Sequence, residues 1–383
     1  MMVVSKQHQI FFDFLRFCIG SESEIPSSLK EADWKELYRI AQKQCLVGIL
    51  FDGIQKLPPA EVGMSKDLLL QWMMQCQMQE KANVRLNDAA IQVSEWFRKK
   101  GFRTCILKGQ GNALMYPNPY SRTPGDIDIW VEGGDKRVIS FVRSISPHEK
   151  ACYHHIEFPS YKGVEVEVHY RPSFLLCFWH NRKLQKYYER VKEEQFSHRV
   201  MLGEQGEIAI PTVEFNLIFQ LTHIYAHLMN EGIGLRQLLD YYYLLISDDL
   251  LVISDDLLVI SDDLLLIRDR VQKELKELGL WKFAGAIMYI MQEVFGLPAS
   301  RLIVPPNEKY GKFVLNEVLE AGNFGRHDAR NRFGRSKLGH NLQRVYRDMR
   351  LVRYFPAEAL CEPFFRIWHF FWRLRWDFTY RLR

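Results

Sequence analysis

Two aspartates separated by one residue carry the strongest chemical signal in this sequence. Asp126 and Asp128 lie in the run GDIDIWV, residues 125–131. Side chains alternate between the two faces of a strand, so a strand here projects both carboxylates from one face. Carboxylates held so close repel one another unless a cation lies between them, and Mg²⁺ accepts oxygen ligands of this kind. The pattern predicts a magnesium site for phosphoryl or nucleotidyl transfer.

A glycine-bearing turn is predicted shortly before these aspartates, in the run ILKGQG. Glycine has no Cβ, so the backbone N–H groups of such a turn can approach a phosphate closely. The turn that we predict to bind phosphate consists of Lys108, Gly109, Gln110 and Gly111.

A second acidic strand is predicted at residues 164–170, which read VEVEVHY. Glu165, Glu167 and His169 share one face of this strand, and the valines share the other. If the strand lies beside residues 126–131, either glutamate could complete a cluster of three carboxylates.

Several short motifs, taken in order, resemble those of a known family. They are LKG at 107–109, Arg122, GDIDI at 125–129, His154-His155 and EVH at 167–169. This order resembles the uncharacterised bacterial nucleotidyltransferase family of the polymerase-β-type superfamily, and LRQLLDY at 235–241 is also similar to the family. The resemblance is loose over residues 40–300 and tight between 105 and 170. It implies an α+β fold with a polymerase-β-like core, a mixed sheet with helices.

The resemblance also implies an activity and a set of ligands. Asp126, Asp128 and Glu167 would hold two Mg²⁺ ions, and Gly109 would belong to the turn around the triphosphate. Arg122 would contact a phosphate, with a salt bridge within its loop as the alternative. The implied reaction moves a nucleoside monophosphate from a nucleoside triphosphate to a hydroxyl on a small molecule, a protein or RNA.

One departure from the superfamily pattern keeps a second function open. The superfamily usually has Gly-Ser or Gly-Gly at the turn, where this chain has Gly109-Gln110. Lys108 or Gln110 would have to replace the serine. The alternative is a catalytically inactive nucleotide-binding regulator or adaptor that acts through a basic and aromatic C-terminal region.

Two histidine pairs are interpreted without a catalytic role. His154 and His155 are expected to pair with each other at a hairpin. His223 and His227, four residues apart, are expected to pack against the neighbouring domain, since no glutamate completes a His-Glu-x-x-His metal motif.

Four regions are predicted around these motifs. Residues 1–100 are helical, 101–211 form the α/β core, 212–325 are helical again, and 326–383 comprise a basic loop and an aromatic, cationic helix. A long helix is expected at 66–100 and ended by Gly101. The predicted strands are 103–107, 126–131, 155–158 and 164–170, with an edge strand at 208–210 and short helices at 111–116 and 135–144.

A tandem heptad repeat occupies residues 246–266, ISDDLLV-ISDDLLV-ISDDLLL. Its apolar residues form one continuous seam on a helix. Each Ser-Asp-Asp is also a good helix N-cap, which favours breaks. We favour a lengthened helix or a helical hairpin without catalytic content.

The composition is that of a globular protein, with 47% hydrophobic and 25% charged residues among 383. The seven cysteines form no Cys-x-x-Cys pair, which argues against both a disulfide framework and a zinc site. The N-terminus lacks the features of a signal peptide, and no apolar run reaches the roughly 18 residues that span a bilayer. A reduced, cytoplasmic protein is expected.

Positive charge is concentrated near the C-terminus. Residues 326–353 contain nine lysines and arginines and two aspartates, a net charge of +7 against +5 for the whole chain. This segment could bind RNA, the phosphates of a nucleotide or an acidic partner, or neutralise the aspartates of the heptad repeat. The tail, residues 363–383, is rich in aromatic residues and arginine. We favour a helix docked on the preceding domain over a contact with a membrane surface or a partner protein.

Overall fold

The computed structural model describes residues 5–59, 62–204, 206–247, 262–330 and 337–381. Its first four α-helices are α1 (Lys6–Ile19), α2 (Trp34–Gln44), α3 (Val47–Ile54) and α4 (Lys66–Lys99). The Ser65 side chain caps α4 by accepting a hydrogen bond from Leu68 N, and Gly101 follows the helix with φ +81°. The prediction of a long helix ended by Gly101 is confirmed.

A four-stranded mixed sheet follows the long helix. Its strands are β1 (Thr104–Ile106), β2 (Ile127–Val131), β3 (His155–Tyr161) and β4 (Val164–His169), in the order β1-β2-β4-β3. β2 and β4 are parallel, whereas β1–β2 and β3–β4 are antiparallel. Two short helices lie between the strands, α5 (Gln110–Ala113) and α6 (Gly134–Ile145). The predicted α+β fold is confirmed.

The segment after the sheet contains two elements that were not predicted, and its predicted edge strand pairs differently from the prediction. It contains α7 (Phe178–Ser197), β5 (Arg199–Leu202) and β6 (Gly206–Ala209). β6 covers part of the predicted edge strand, but it pairs with β5 in a separate two-stranded sheet and not with the core sheet. Neither α7 nor β5 was predicted, and without β5 the sequence offered β6 no partner except the core sheet.

Helices make up the rest of the described chain. They are α8 (Val213–Asn230), α9 (Leu235–Ile246), α10 (Asp262–Glu277), α11 (Trp281–Phe295), α12 (Glu308–Ala321), α13 (Lys337–Leu351) and α14 (Pro356–Arg381). Most of the heptad repeat, residues 248–261, lies outside the described residues, so its conformation stays a prediction.

Two hydrophobic cores are joined by α4. The sheet core contains the inward side chains of β2 and β4 with those of α6, and Phe97 of α4 lies within it. The larger helical core contains Trp72, near the start of the same helix. Because one helix contributes to both cores, the sheet is fixed firmly against the helices that surround it. The four-region division of the chain stays a prediction.

The C-terminal helix α14 has a packed side and an exposed side. Phe365 is buried against Tyr153 and Phe174, as expected for a docked helix. Phe364 and Phe371 are exposed on the other side. Among the described helices, none is both long enough and apolar enough to cross a bilayer.

Candidate active site

The register between β2 and β4 brings the predicted carboxylates together. Parallel pairing places Asp128 opposite Glu167, and Asp126 immediately precedes β2. Oxygen atoms of Asp126, Asp128 and Glu167 all lie within 4.8 Å of one another. Glu165, the alternative to Glu167, is exposed and lies outside this group.

Asp128 is the buried centre of the cluster. Its Oδ1 lies 2.8 Å from Lys108 Nζ and 3.0 Å from His169 Nε2. Burial by itself would raise the pKa of Asp128, but the two neighbouring cations lower it below its usual range. Asp128 is therefore ionised at any physiological pH.

Asp126 has the opposite electrostatic environment. The negative charge of Asp128, followed by burial, raises the pKa of Asp126 to about 6. Lys108 opposes this effect but does not overcome it. The positive charge beside the three carboxylates is therefore too small to neutralise them. A divalent cation would supply the missing charge.

Histidines of contrasting charge border Glu167. His169 Nε2 lies 3.4 Å from Glu167 Oε2, and its contacts with Asp128 and Glu167 raise its pKa to about 9 although burial opposes this. His155 Nδ1 lies 3.2 Å from Glu167 Oε2, but burial lowers its pKa to about 4. At neutral pH, His169 is charged and His155 is neutral. His154 Nε2 lies 3.1 Å from His155 Nδ1, so the expected histidine pair is present.

The glycine turn lies directly beside Asp126. Gly109 has φ +61°, and a Cβ at this position would lie 3.5 Å from the Asp126 carbonyl oxygen. The positive φ favours glycine here, whereas the 3.5 Å separation is an ordinary van der Waals contact. Lys108 and Gly109 line the cavity that contains the carboxylates.

The other two residues of the turn are directed elsewhere. The Gln110 side chain is buried and donates a hydrogen bond to Asn87 Oδ1 on α4. A Cβ at Gly111 would lie 3.0 Å from the Ile210 side chain. Neither residue lines the cavity. The expectation that the Gln110 side chain could replace the missing serine is therefore corrected, because its amide is used to connect the turn to α4; Lys108 reaches the site instead.

Arg122 forms a buried ion pair with Asp240 of α9. Its Nε and Nη2 atoms each lie 2.8 Å from one carboxylate oxygen, and Tyr116 donates a 2.6 Å hydrogen bond to Asp240 Oδ1. Of the two alternatives for Arg122, the salt bridge is the one observed, although its partner lies on a distant helix. A contact with phosphate stays a prediction. Asp240, the partner of Arg122, lies in the 235–241 motif that resembles the family, and this motif was the available sequence signal for it.

The carboxylates open into a cavity of about 610 Å³, a size typical of small-molecule sites. Its walls include arginines that were not predicted as site residues: Arg236, Arg326, Arg344 and Arg366. Arg326 and Arg344 belong to the basic segment, and its charge was the available signal for them. Arginine forks suit phosphate oxygens, so the wall is chemically matched to a polyanion.

Two histidines of α8 also line the cavity. His223 Nε2 lies 3.2 Å from Lys108 Nζ, and the His223 and His227 rings are 4.3 Å apart. Burial, followed by the charge of Lys108, lowers the pKa of His223 well below its usual value. A neutral imidazole can accept a hydrogen bond from the lysine and hold its ammonium near Asp128. The expectation that these histidines only pack between domains missed this contact.

Comparison with known protein families identifies a match over most of the chain. A family model described as "Uncharacterised nucleotidyltransferase" matches residues 30–296. The matched range contains the three carboxylates and the glycine turn, and it ends before α12, α13 and α14. No curated protein and no solved structure matches the chain.

Proposed function

The chain belongs to this family of uncharacterised nucleotidyltransferases, and from that premise we propose that it transfers a nucleoside monophosphate from a nucleoside triphosphate to a hydroxyl acceptor with the help of Mg²⁺. The observation that carries the proposal is the convergence of Asp126, Asp128 and Glu167 in the wall of a cavity that arginines also line.

The residues present fit the implied metal. All three carboxylates supply oxygen ligands, which Mg²⁺ prefers, and the raised pKa of Asp126 marks a position where positive charge is lacking. Asp126, Asp128 and Glu167 would hold the metal. Bound there, Mg²⁺ would polarise the transferred phosphate and lower the pKa of the acceptor hydroxyl.

The chain's own groups would bind the nucleotide and move a proton. The backbone at Gly109 is open to a close phosphate approach, and Lys108 supplies a cation beside it. Arg344 and Arg366 line the same cavity and could contact further phosphate oxygens. The hydrogen bond from His169 lowers the pKa of Glu167 although burial opposes it, so Glu167 is ionised and able to accept the acceptor's proton.

The second candidate function is a nucleotide-binding regulator without turnover. Two observations favour it: Lys108 and His169 already neutralise Asp128, and the serine of the superfamily turn is absent. In that case the basic cavity wall would bind a nucleotide, and the C-terminal helix would contact a partner.

Transfer of label from nucleotide to acceptor distinguishes the two functions. The protein is incubated with each of the four NTPs labelled at the α-phosphate, with Mg²⁺ and with separate small-molecule, protein and RNA fractions of a cell extract. We expect label to appear in one fraction for the wild type and for Glu165→Gln, but not for Asp126→Asn/Asp128→Asn. Nucleotide binding without label transfer to any fraction would favour the regulator.

The proposal also includes a contact of the C-terminal tail, residues 363–383, with a membrane surface or a partner protein. Phe364, Ile367 and Phe371 are exposed along one side of α14, and arginines lie among them in the sequence. This pattern fits the surface of an anionic membrane. Co-sedimentation with anionic vesicles that is lost when residues 363–383 are deleted would support a membrane contact. Absence of vesicle binding would instead favour a contact with a partner protein. The cytoplasmic location expected from the cysteines remains part of this proposal.

A further inference from the structure

The first turns of α7 and α14 meet outside the catalytic cavity and bring together four residues that bind metals in other proteins. Cys177 precedes α7 and His180 lies in its first turn, whereas Glu358 and Cys361 lie near the start of α14. Ligand atoms of Cys177, His180 and Glu358 all lie within 4.8 Å of one another. Cys361 follows Glu358 by about one helical turn, and its thiol lies beside that of Cys177, outside this group of three. A Cys-x-x-His segment therefore faces a Glu-x-x-Cys segment.

The Glu358 carboxylate is buried, and only one of its oxygens is satisfied. Oε2 accepts hydrogen bonds from the backbone N–H groups of Leu176 and Cys177, the latter at 3.2 Å. Oε1 is buried and has no hydrogen-bond partner within the described parts of the chain. The His180 Nδ1 atom lies 3.7 Å from this oxygen. An unsatisfied buried carboxylate oxygen is costly, so this atom is directed towards a position where a ligand is expected.

The His180 ring is limited in its movement by a close backbone neighbour. It packs directly against the backbone of Gly279, whose φ is +71° and where any Cβ would collide with the imidazole. The ring is therefore fixed with Nδ1 near Glu358. A fixed histidine and a carboxylate oriented by backbone N–H groups are the arrangement that second-sphere contacts create around metal ligands.

We propose that Cys177, His180, Glu358 and Cys361 form a zinc site that fastens α14 to α7. Two sulfurs, one imidazole nitrogen and one carboxylate oxygen are a donor set that suits Zn²⁺ and is unlike the all-oxygen cluster of the catalytic cavity. Typical Zn–S and Zn–N bond lengths place tetrahedral ligand atoms roughly 3.3–3.8 Å apart. The 3.7 Å separation of His180 Nδ1 and Glu358 Oε1 lies in this range.

The site would have a structural role with an effect on the cavity. Beyond Cys361, α14 contributes Phe365, Arg366 and His369 to the cavity wall. A metal that fixes the first turn of α14 therefore fixes the position of these side chains. Cysteine spacing did not indicate the site, because the four ligands come from two segments that are distant in sequence and contain no Cys-x-x-Cys.

Metal analysis of the full chain tests the proposal directly. The protein is produced in zinc-supplemented cells, purified without a metal-binding tag or chelator, and analysed by mass spectrometry for metals. We expect about one zinc per chain in the wild type and in Asp126→Asn/Asp128→Asn, since the two sites use different ligands. Cys177→Ser/Cys361→Ser should lose the zinc, whereas Cys76→Ser, which changes a partly buried thiol on α4, should retain it.

A second measurement covers the case in which the double cysteine variant does not fold. Titrating the folded wild type with a mercurial thiol reagent should release zinc, detected with a chromogenic chelator, and Co²⁺ in its place should give a thiolate charge-transfer band. Wild-type protein without zinc, zinc retained by a folded Cys177→Ser/Cys361→Ser variant, or a Cys177–Cys361 disulfide in protein purified under reducing conditions would each overturn the proposal. Because the readout is metal content, failure of the proposed transferase activity would not affect it.

Discussion

Two groups of buried charges line the same cavity and differ in how completely they are neutralised. Asp240 receives two hydrogen bonds from Arg122 and one from Tyr116, so its pKa is lowered although burial opposes this. The cluster of Asp126, Asp128 and Glu167 has three carboxylates beside two cations, Lys108 and His169, and the carboxylate of Asp126 has a raised pKa. Arg122 and Asp240 neutralise each other, as expected for an ion pair that stabilises the fold. The cluster of Asp126, Asp128 and Glu167 lacks positive charge, as expected for a site that takes an additional cation.

The contrast also explains the positions of the two groups. The Arg122–Asp240 pair joins the loop before β2 to α9, and it therefore fixes the loop that carries Asp126 and leads into the strand of Asp128. The Arg122–Asp240 ion pair thus helps to position the carboxylate cluster. Variants of the two groups should consequently fail in different ways.

The largest effect is expected for Asp128→Asn. Loss of the central carboxylate would remove a proposed metal ligand and the charge that Lys108 and His169 share, leaving His169 with Glu167 alone. Label transfer from NTP should fall by at least about a thousandfold, equivalent to several kcal/mol of transition-state stabilisation. Glu165→Gln, which changes an exposed carboxylate two residues from Glu167 on β4, is the control and should keep its activity. Equal activity of the two variants would contradict the assignment of the cluster.

The next largest effect, on stability, is expected for Asp240→Asn. Breaking a buried ion pair on one side leaves an uncompensated charge on Arg122, which typically costs about 3–5 kcal/mol. Urea denaturation should show this loss in the free energy of unfolding, whereas exposed Glu165→Gln should stay within about 0.5 kcal/mol of wild type. If Asp240→Asn unfolds like wild type but has lost nucleotide binding, the pair belongs to the site and not to the scaffold.

A smaller effect is expected for His169→Gln. His169 contacts both Asp128 and Glu167 and orients them, so its loss should weaken Mg²⁺ binding by about 10- to 100-fold, as for other residues behind metal ligands. The Mg²⁺ concentration for half-maximal label transfer measures this effect, and excess Mg²⁺ should largely restore the rate. A rate that stays low at saturating Mg²⁺ would point to a direct part in proton transfer.

The smallest effect is expected for Asp126→Asn without metal, and it is a gain in stability, not a loss. The pKa of Asp126 is about 6 when folded, above its unfolded value, so the folded state binds more protons between these values and loses stability as pH rises through this range. The loss is complete about one pH unit above the folded pKa, and so at pH 8. In EDTA at pH 8 the variant should be more stable than wild type by on the order of 1–2 kcal/mol, with little difference near pH 4. A variant less stable than wild type at pH 8 would show that the cluster is not short of positive charge.

Local patterns in the sequence predicted much of the fold and the cluster. Strand alternation around Asp126 and Asp128, the turn at Gly109 and the long helix before Gly101 each depend on neighbours in the chain, and all are present. The choice between Glu165 and Glu167 depends on the register between β2 and β4, which alternation within one strand does not determine.

Features that depend on distant partners were not predictable in this way. The direction of the Gln110 side chain depends on Asn87 of α4, and the contact of His223 with Lys108 joins residues that are far apart in sequence. The same holds for the cluster around Cys177 and Glu358, whose two segments meet only after α14 packs on α7.

The most direct test of the account is thermal stabilisation by each NTP, with Mg²⁺ and with EDTA, for the wild type and Asp126→Asn/Asp128→Asn. A ligand at one hundred times its dissociation constant adds about 2.7 kcal/mol to the free energy of unfolding, a readily measured shift in Tm. We expect at least one NTP to stabilise the wild type only with Mg²⁺, and no Mg²⁺-dependent stabilisation of the variant. Equal stabilisation of both proteins, or none of the wild type by any NTP with Mg²⁺, would contradict a metal-dependent nucleotide site at these carboxylates.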